Sequence, residues 1–316
     1  MRTATRHQVI AYAPTQGTEI AAYYREHGYA VVRGVIPRAE IAEIHAEAER
    51  IRARALAHGS SFQAGNFCTV VDRGTVRAAL WPALISPRCD AVRTDPRIHA
   101  IVRPLIGDTL RSLTSQFHWK PPGSVIGVNF HTDRANRTPL TEYREVGGSF
   151  VQTGLAIDPM VADNGPLLVV PGSHRRERVL IEGQGNYGHG NAGRGILAQA
   201  GYDDADLLPL LAEPGDLVLW HPDTIHGSDQ NRHPTLDRCL FINGYIDARA
   251  TYRGYWACIN GQPVPAPGPW CPAPLRDSWE EALAKTAAPL RGNDFWSSVA
   301  AGSTGGLLAV APSAAD

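Results

Sequence analysis

The sequence has no run of apolar residues that approaches the ~20 residues a transmembrane helix needs. It also has no apolar signal core behind residues 1–6, so neither a membrane span nor a secretory leader is expected. These absences predict a cytoplasmic protein without a membrane partner.

Strong net charge and blocks of basic residues are also missing. Lys and Arg total 30 against 31 Asp and Glu, which gives a formal net charge of −1. Because binding to a phosphate backbone needs concentrated positive charge, no nucleic-acid partner is expected. The 5 cysteines are odd in number and form no Cys-x-x-Cys pair, so we expect small buried or partly buried thiols in a reducing compartment.

The chain does contain enough apolar residues, 43%, to bury a large core. We expect a single domain over residues 1–316. It would have a helical N-terminal part at about 18–100, a β-rich core at about 108–250 and a C-terminal extension at 251–316.

Short β-type runs separated by turns dominate the middle of the sequence. Apolar spacing of three and four residues predicts helices over 18–27 and 41–51. Residues 60–97, which contain Pro82, Pro87 and Pro96, are expected to be loops and one short helix. Strands are predicted over 110–120, 125–133, 149–160, 167–170, 217–220 and 237–245. The expected fold class is mainly β with flanking helices, a barrel or jelly roll.

The pair His131 and Asp133 has the clearest chemistry in the sequence. Alternate side chains of a strand share a face, so both residues can bind one metal ion. His226, at the start of the His-Gly-Ser segment, would complete a set of two histidines and one carboxylate. That set leaves coordination positions open and favours non-haem Fe(II).

Other histidines compete for this role, because the chain has 12 of them. A second His-x-Asp occurs at His221 and Asp223, but Pro222 fixes a turn there and the two side chains need not converge. His174 is expected to make a loop hydrogen bond, and His189 to face solvent.

Several further segments have distinctive sequences. They are residues 26–32 (EHGYAVV), 118–124 (HWKPPGS), 131–133 (HTD), 164–174 (NGPLLVVPGSH), 214–216 (PGD) and 226–228 (HGS). In this order, over residues 18 to 250, they resemble the phytanoyl-CoA dioxygenase family of Fe(II)/2-oxoglutarate oxygenases.

The resemblance implies a double-stranded β-helix core, a cupin-like jelly roll, in which His131, Asp133 and His226 bind iron. It also implies that Arg238 binds the distal carboxylate of 2-oxoglutarate. A guanidinium group presents a planar fork of donors that holds a carboxylate through two parallel hydrogen bonds. Arg238 also shares a strand face with the apolar Leu240 and Ile242.

Three more residues are candidates for the co-substrate site. Ser228 could add its hydroxyl to the same carboxylate, or it could satisfy its own turn. His118 and Gln116 lie on the strand before the metal-binding strand and are candidates for contact with the co-substrate.

The implied activity is that of a dioxygenase that converts 2-oxoglutarate and O2 to succinate and CO2 while oxidising an unactivated C–H bond. The expected partner is a small-molecule substrate from biosynthetic, secondary metabolism. Related halogenases carry a small residue in place of the aspartate, so Asp133 favours hydroxylation. Desaturation, cyclisation and epoxidation stay open.

The segments 134–148 and 175–212 are candidates for a cover over the site and for substrate contacts. Arg134, Arg137 and Arg144 lie in the first of them. We expect these arginines to be solvated, so they indicate an acidic substrate only weakly.

Two rival functions remain at this point. One is a metal-binding cupin-like barrel or sensor without catalysis, which would not need Arg238. The other is an oxygenase that modifies protein side chains, which would need a long open groove. A monomer or a homodimer is expected.

Overall fold

The structure of the protein is a computed structural model that describes residues 9–137, 140–176, 187–189 and 194–266. Most of the predicted C-terminal extension therefore lies outside the described residues, as does much of the segment 175–212. The side chain of His189 also lies outside them, so its predicted exposure stays a prediction. In the described residues no helix has the length and apolar character needed to cross a membrane.

The first helices agree with the sequence pattern. After the short strand β1 (Ala11–Tyr12), helix α1 (Gly17–His27) ends at Gly28, whose φ of 78° favours glycine. Gly28 is also a point of close approach, because a Cβ there would lie 2.4 Å from the hydroxyl oxygen of Thr224. Strand β2 (Tyr29–Val32) and helix α2 (Arg38–His58) follow.

The prediction of loops and one short helix over residues 60–97 is wrong. The segment forms the strands β3 (Phe62–Ala64), β4 (Phe67–Asp72) and β5 (Thr75–Leu80). Arg73 and Gly74 both have positive φ, at 49° and 73°, which is the geometry of a tight hairpin turn.

Two helices, not one, begin in this part of the chain. They are α3 (Pro87–Arg93) and α4 (Pro96–Ile106). Ser86 and Asp95 cap them by accepting backbone hydrogen bonds from Cys89 and Arg97. The prolines occupy the first helical turn, where a missing N–H costs nothing, so they begin helices.

The remaining described elements are mostly strands. In chain order they are β6 (Leu110–Lys120), β7 (Ile126–His131), α5 (Val146–Ser149), β8 (Phe150–Ala156), β9 (Leu167–Val169), β10 (Tyr187–His189), α6 (Arg194–Gln199), β11 (Leu208–Leu210), β12 (Leu217–Trp220), β13 (His226–Ser228), β14 (Arg238–Asp247), β15 (Tyr255–Ile259) and β16 (Gln262–Pro263). The segment 175–212 therefore contains regular elements, and so does the start of the predicted extension.

These strands form two sheets. The larger has the order β1-β2-β12-β8-β14-β6-β5-β4-β3, with β15 and β16 attached beside β6, and the smaller has the order β10-β7-β13-β9-β11. Apolar residues of both sheets share one core between them, for example Val218 and Leu240 with Leu167 and Val169. The two sheets therefore face each other and enclose an interior, as the predicted jelly roll requires.

The opposite face of the larger sheet is covered by the N-terminal helices. Phe117, Leu155 and Phe241 from the sheet pack with Ile44 and Ile101 of the helices in the largest apolar core. Cys68, Cys89, Cys239 and Cys258 are buried free thiols, as predicted, and Cys271 lies outside the described residues.

Candidate metal centre and co-substrate pocket

The two candidate metal-binding histidines lie on neighbouring strands. Strands β7 and β13 pair antiparallel, and their register places His226 directly opposite His131. The two imidazole ring centroids are 4.3 Å apart. The register of the smaller sheet thus joins two residues that are far apart in sequence.

Asp133 lies close to both imidazoles, but it is not part of the strand that was predicted to carry it. Strand β7 ends at His131, and Asp133 begins a single turn of 3₁₀ helix, Asp133–Asn136. Thr132 between them is still extended, with φ −116° and ψ 140°, so the carboxylate remains near His131. Its two oxygens lie 4.0 Å from His131 Nε2 and 3.7 Å from His226 Nε2. Donor atoms of the three residues lie within 4.8 Å of one another.

The backbone fixes which nitrogen of each imidazole faces the centre. His131 Nδ1 lies 2.7 Å from the carbonyl oxygen of Asn129, and His226 Nδ1 lies 2.8 Å from that of Thr224. A carbonyl oxygen can only accept, so each Nδ1 carries the proton and each Nε2 is a lone-pair donor. This is the arrangement expected around a metal ion.

Trp220 contacts the candidate metal centre, and the sequence analysis missed it. Its indole Nε1 donates a 2.8 Å hydrogen bond to Asp133 Oδ2. The sequence feature that could have indicated Trp220 is its position at the end of β12, because this short strand leads directly to the segment that carries His226.

The protonation states suit metal binding. Burial, followed by the charge of His226, lowers the pKa of His131 to about 4, so its imidazole is neutral near pH 7. Burial by itself would raise the pKa of Asp133. The nearby His226, His131 and Arg137 charges and the Trp220 hydrogen bond outweigh burial and hold that pKa below its ordinary value. Two imidazole nitrogens and one carboxylate fit a non-haem Fe(II) ion.

The second His-x-Asp has a structural role. Arg134 donates its backbone N–H to Pro222 O at 3.0 Å and its Nη2 to Asp223 Oδ2 at 2.6 Å. These bonds tie the turn that carries Asp133 to the turn that precedes His226. His174 makes the predicted loop hydrogen bond, at 3.0 Å from Arg25 O.

A basic pair lies in the interior at another position. Arg238 is only 4% exposed, and it donates through Nε to Gly165 O at 3.2 Å and through Nη1 to His118 O at 3.3 Å. The register of β14 against β6 places Arg238 opposite Lys120. The sequence analysis missed Lys120, although it lies on the same strand face as Gln116 and His118.

Lys120 connects Arg238 to Ser228. Its ammonium donates to Ser228 Oγ at 2.6 Å and also to the carbonyl oxygen of Asp229. Burial, and next the Arg238 charge, lower the Lys120 pKa well below its ordinary value. Placing two cations together in the interior favours an anionic ligand between them.

His118 and Gln116 lie on this inner face, since their register partners on β14 are Leu240 and Ile242. Burial, with the Arg238 and Lys120 charges, lowers the pKa of His118 to about 3, so its ring is neutral. Contact of either residue with the co-substrate stays a prediction.

The arginines of the segment 134–148 correct one expectation. Arg134 and Arg137 are each only 8% exposed, so the prediction that they are solvated is wrong, whereas Arg144 is exposed. Arg134 is buried because its guanidinium pairs with Asp223, and Arg137 because it packs against the ring of Phe150.

A jelly roll that holds two histidines and one carboxylate near a buried basic pair has the features of a non-haem iron enzyme that uses a keto acid. Residues 24–238 match the family model described as Phytanoyl-CoA dioxygenase (PhyH). The chain belongs to the phytanoyl-CoA dioxygenase family.

Individual proteins agree with this assignment. The probable alpha-ketoglutarate-dependent hypophosphite dioxygenase of Stutzerimonas stutzeri is 26% identical over 238 residues, which cover 72% of this chain and 77% of that protein. The ectoine dioxygenase of Sphingopyxis alaskensis is 24% identical over 236 residues, 70% of this chain and 73% of that one. The crystal structure of the epimerase SnoN with Fe3+, alpha ketoglutarate and nogalamycin RO is similar with a TM-score of 0.58 and 23% identity, covering 89% of this chain and 98% of that one.

The predicted family, fold and enzyme class are thus confirmed. The protein is a non-haem iron dioxygenase that depends on iron, 2-oxoglutarate and O2. The rival function of a barrel without catalysis is set aside.

Proposed function

We propose that this enzyme hydroxylates an unactivated C–H bond of a small biosynthetic metabolite, and that His131, Asp133 and His226 hold its iron. The observation that carries the proposal is the convergence of these donor atoms within 4.8 Å, with both Nε2 atoms directed to one point. The hydrogen bonds from each Nδ1 and from Trp220 hold the donors in place before the metal binds.

Arg238, Lys120 and Ser228 receive the distal carboxylate of 2-oxoglutarate in this proposal. Arg238 supplies a planar fork, Lys120 a second positive charge and Ser228 a hydroxyl donor. The 2.6 Å bond between Lys120 and Ser228 already holds two of these groups together. His118 and Gln116 line the adjacent wall as neutral groups.

The balanced reaction is R–H + 2-oxoglutarate + O2 → R–OH + succinate + CO2. When bound, iron supplies the oxygen-activating chemistry. Asp133 would bind the iron where a halide would have to bind, which supports hydroxylation over halogenation. The burial of Asp133 and His226, only 5% and 4% exposed, excludes bulk water from the reacting atoms.

We propose a small-molecule substrate, and the support for it is that relatives are named for such compounds, ectoine among them. The whole chain acts as one domain in this proposal, since β15 extends the larger sheet beside β6. In this proposal the described part of the segment 134–148, which begins next to Asp133, serves as part of a cover over the metal centre.

The test is anaerobic addition of Fe(II) and 2-oxoglutarate, followed by O2. We expect a visible charge-transfer band before O2 and succinate after it. Asp133→Ala should abolish succinate formation, because the one anionic donor to the metal is gone, whereas the exposed Asp163→Ala should change nothing. Normal succinate production by Asp133→Ala would defeat the proposal.

A further inference from the structure

Arg137 is a buried cation with no carboxylate within ion-pair distance in the described part of the chain. Its residue is only 8% exposed, and its guanidinium carbon lies 4.6 Å from the centre of the Phe150 ring. Its Nε is fully buried and has no hydrogen-bond partner. Among the described residues, its one hydrogen bond is from the backbone N–H to Arg134 O, at 2.9 Å.

The neighbouring Arg134 provides the contrast within the same turn. Its guanidinium pairs with both oxygens of Asp223, so its burial is compensated by a carboxylate of the protein. A buried charge without such a partner is unfavourable, because it has lost its water and gained nothing in return. Stacking on one aromatic ring compensates only partly. The Arg137 site therefore favours an anion that the described residues do not supply there.

Arg137 lies beside the metal centre. It ends the turn of 3₁₀ helix that begins at Asp133, one of the three candidate metal donors. Phe150 shares a face of β8 with Gln152, and a Cβ at Gly244 would contact both the Phe150 ring and the Gln152 side chain. The guanidinium is thus placed between the metal-binding residues and the inner wall of the larger sheet.

The co-substrate pocket does not account for this charge. Arg238 pairs with Lys120 at one end of β14, whereas Phe150 pairs with Ile246 near the other end. Ile246 lies eight positions after Arg238, which corresponds to about 25 Å between their Cα atoms on an extended strand. The Arg137 guanidinium, which packs on Phe150, therefore lies towards the opposite end of β14 from the pair proposed to bind the distal carboxylate of 2-oxoglutarate.

We propose that Arg137 binds a carboxylate of the molecule that is oxidised, and so selects carboxylic acids as substrates. This inference rests on the proposed function and specifies its substrate class. Because Nε is buried, the contact falls to the two Nη atoms, which form a planar fork that matches the two oxygens of a carboxylate.

The test compares acids with their own primary amides, which have similar shape but no charge. The probes are cyclohexanecarboxylate, benzoate and octanoate, each paired with its amide. Each is titrated into the anaerobic complex of the enzyme with Fe(II) and 2-oxoglutarate, and binding is read from the change in the visible band. The variants are Arg137→Gln, Arg137→Lys and, as the matched control from the same segment, the exposed Arg144→Gln.

In the wild type and in Arg144→Gln, at least one acid should bind about 10- to 100-fold more tightly than its amide, as expected for a charge-assisted pair. Arg137→Gln should lose this preference, and Arg137→Lys should keep part of it. The affinity for 2-oxoglutarate should not change in any of these variants. A purely structural Arg137 would leave the preference for acids intact.

Two results would overturn the inference. One is an unchanged preference for acids in Arg137→Gln, and the other is a wild-type enzyme that prefers no acid over its amide. Absence of the visible band in the wild type would instead count against the proposed function, so the two failures are distinguishable.

Discussion

The interior of the jelly roll has two polar regions of opposite character. At the metal end, His131, Asp133 and His226 form a set with one negative charge, and backbone carbonyls orient the two imidazoles. At the basic end, Lys120 and Arg238 lie opposite each other on paired strands. The metal end is thus prepared for a cation and the basic end for an anion.

The two regions are stabilised in different ways. The metal end has a complete set of hydrogen bonds that hold its donors in place without a metal. At the basic end, burial and the nearby Arg238 charge strongly lower the pKa of Lys120, so the two neighbouring positive charges are unfavourable there. Changes at the metal end should therefore act on metal binding, and changes at the basic end on keto-acid binding and on stability.

Arg238→Gln should have the largest effect, and this effect should be on binding of 2-oxoglutarate and not on turnover. Loss of the charged fork should raise KM for 2-oxoglutarate about 100-fold, while kcat at saturating 2-oxoglutarate stays within a few-fold. Steady-state succinate assays measure both constants. Arg238→Lys should fall in between, and the exposed Arg232→Gln serves as the control. A fall in kcat with an unchanged KM would mean that Arg238 does not bind the keto acid, and the basic end would then not differ in function from the metal end.

Trp220→Phe probes the metal end. It removes the indole N–H that holds Asp133 Oδ2 and should weaken Fe(II) binding about 10- to 100-fold, with little effect on the affinity for 2-oxoglutarate. Trp119→Phe is the matched control, because the Trp119 indole nitrogen is buried without a hydrogen-bond partner. Equal metal affinities in the two variants, measured by anaerobic titration, would show that the Trp220 hydrogen bond does not support metal binding.

Lys120→Met separates function from stability at the basic end. We expect about a tenfold loss of affinity for 2-oxoglutarate, because one charge-assisted contact is lost. The melting temperature of the enzyme free of co-substrate should rise, because a desolvated cation beside Arg238 is gone. A variant that melts earlier and binds 2-oxoglutarate normally would assign Lys120 a structural role.

The smallest effect is on the pH dependence of folding. Burial lowers the pKa of His118 to about 3 and that of His221 to about 4, from 6.5 when exposed. Between pH 4 and 6.5 the unfolded chain binds more protons than the folded chain does. The free energy of unfolding should therefore fall as the pH drops from 6.5 towards 4. The slope is up to about 1.4 kcal/mol per pH unit for each histidine.

Denaturant unfolding of the metal-free enzyme across this range measures the slope. His118→Gln should flatten this slope, because one histidine with a lowered pKa is gone. A slope of the opposite sign would mean that these histidines gain protons on folding.

The metal end could be predicted from the sequence because its signals are local. The His131-x-Asp133 spacing and the His226 segment specify donor chemistry without knowledge of the fold. Even there, the turn of 3₁₀ helix that begins at Asp133 was not predicted, because it depends on the bond between Arg134 and the Pro222 turn.

The basic end could be predicted only in part. Arg238 and Ser228 were predicted through the family resemblance, but Lys120 joins them through the register of β6 against β14, which a single sequence does not reveal. Burial of Arg137 was missed for a similar reason. An arginine in a polar segment is expected to be solvated, and its burial becomes evident only when the ring on which it packs, here that of Phe150, is known.

A crystal structure of the anaerobic complex with Fe(II) and 2-oxoglutarate, with the iron located by its anomalous scattering, tests the central claim most directly. We expect one iron in coordination contact with His131 Nε2, His226 Nε2 and Asp133, and a keto acid whose distal carboxylate contacts Arg238 and Lys120. An iron bound elsewhere, for example at His221 and Asp223, or a keto acid directed away from Arg238, would contradict it.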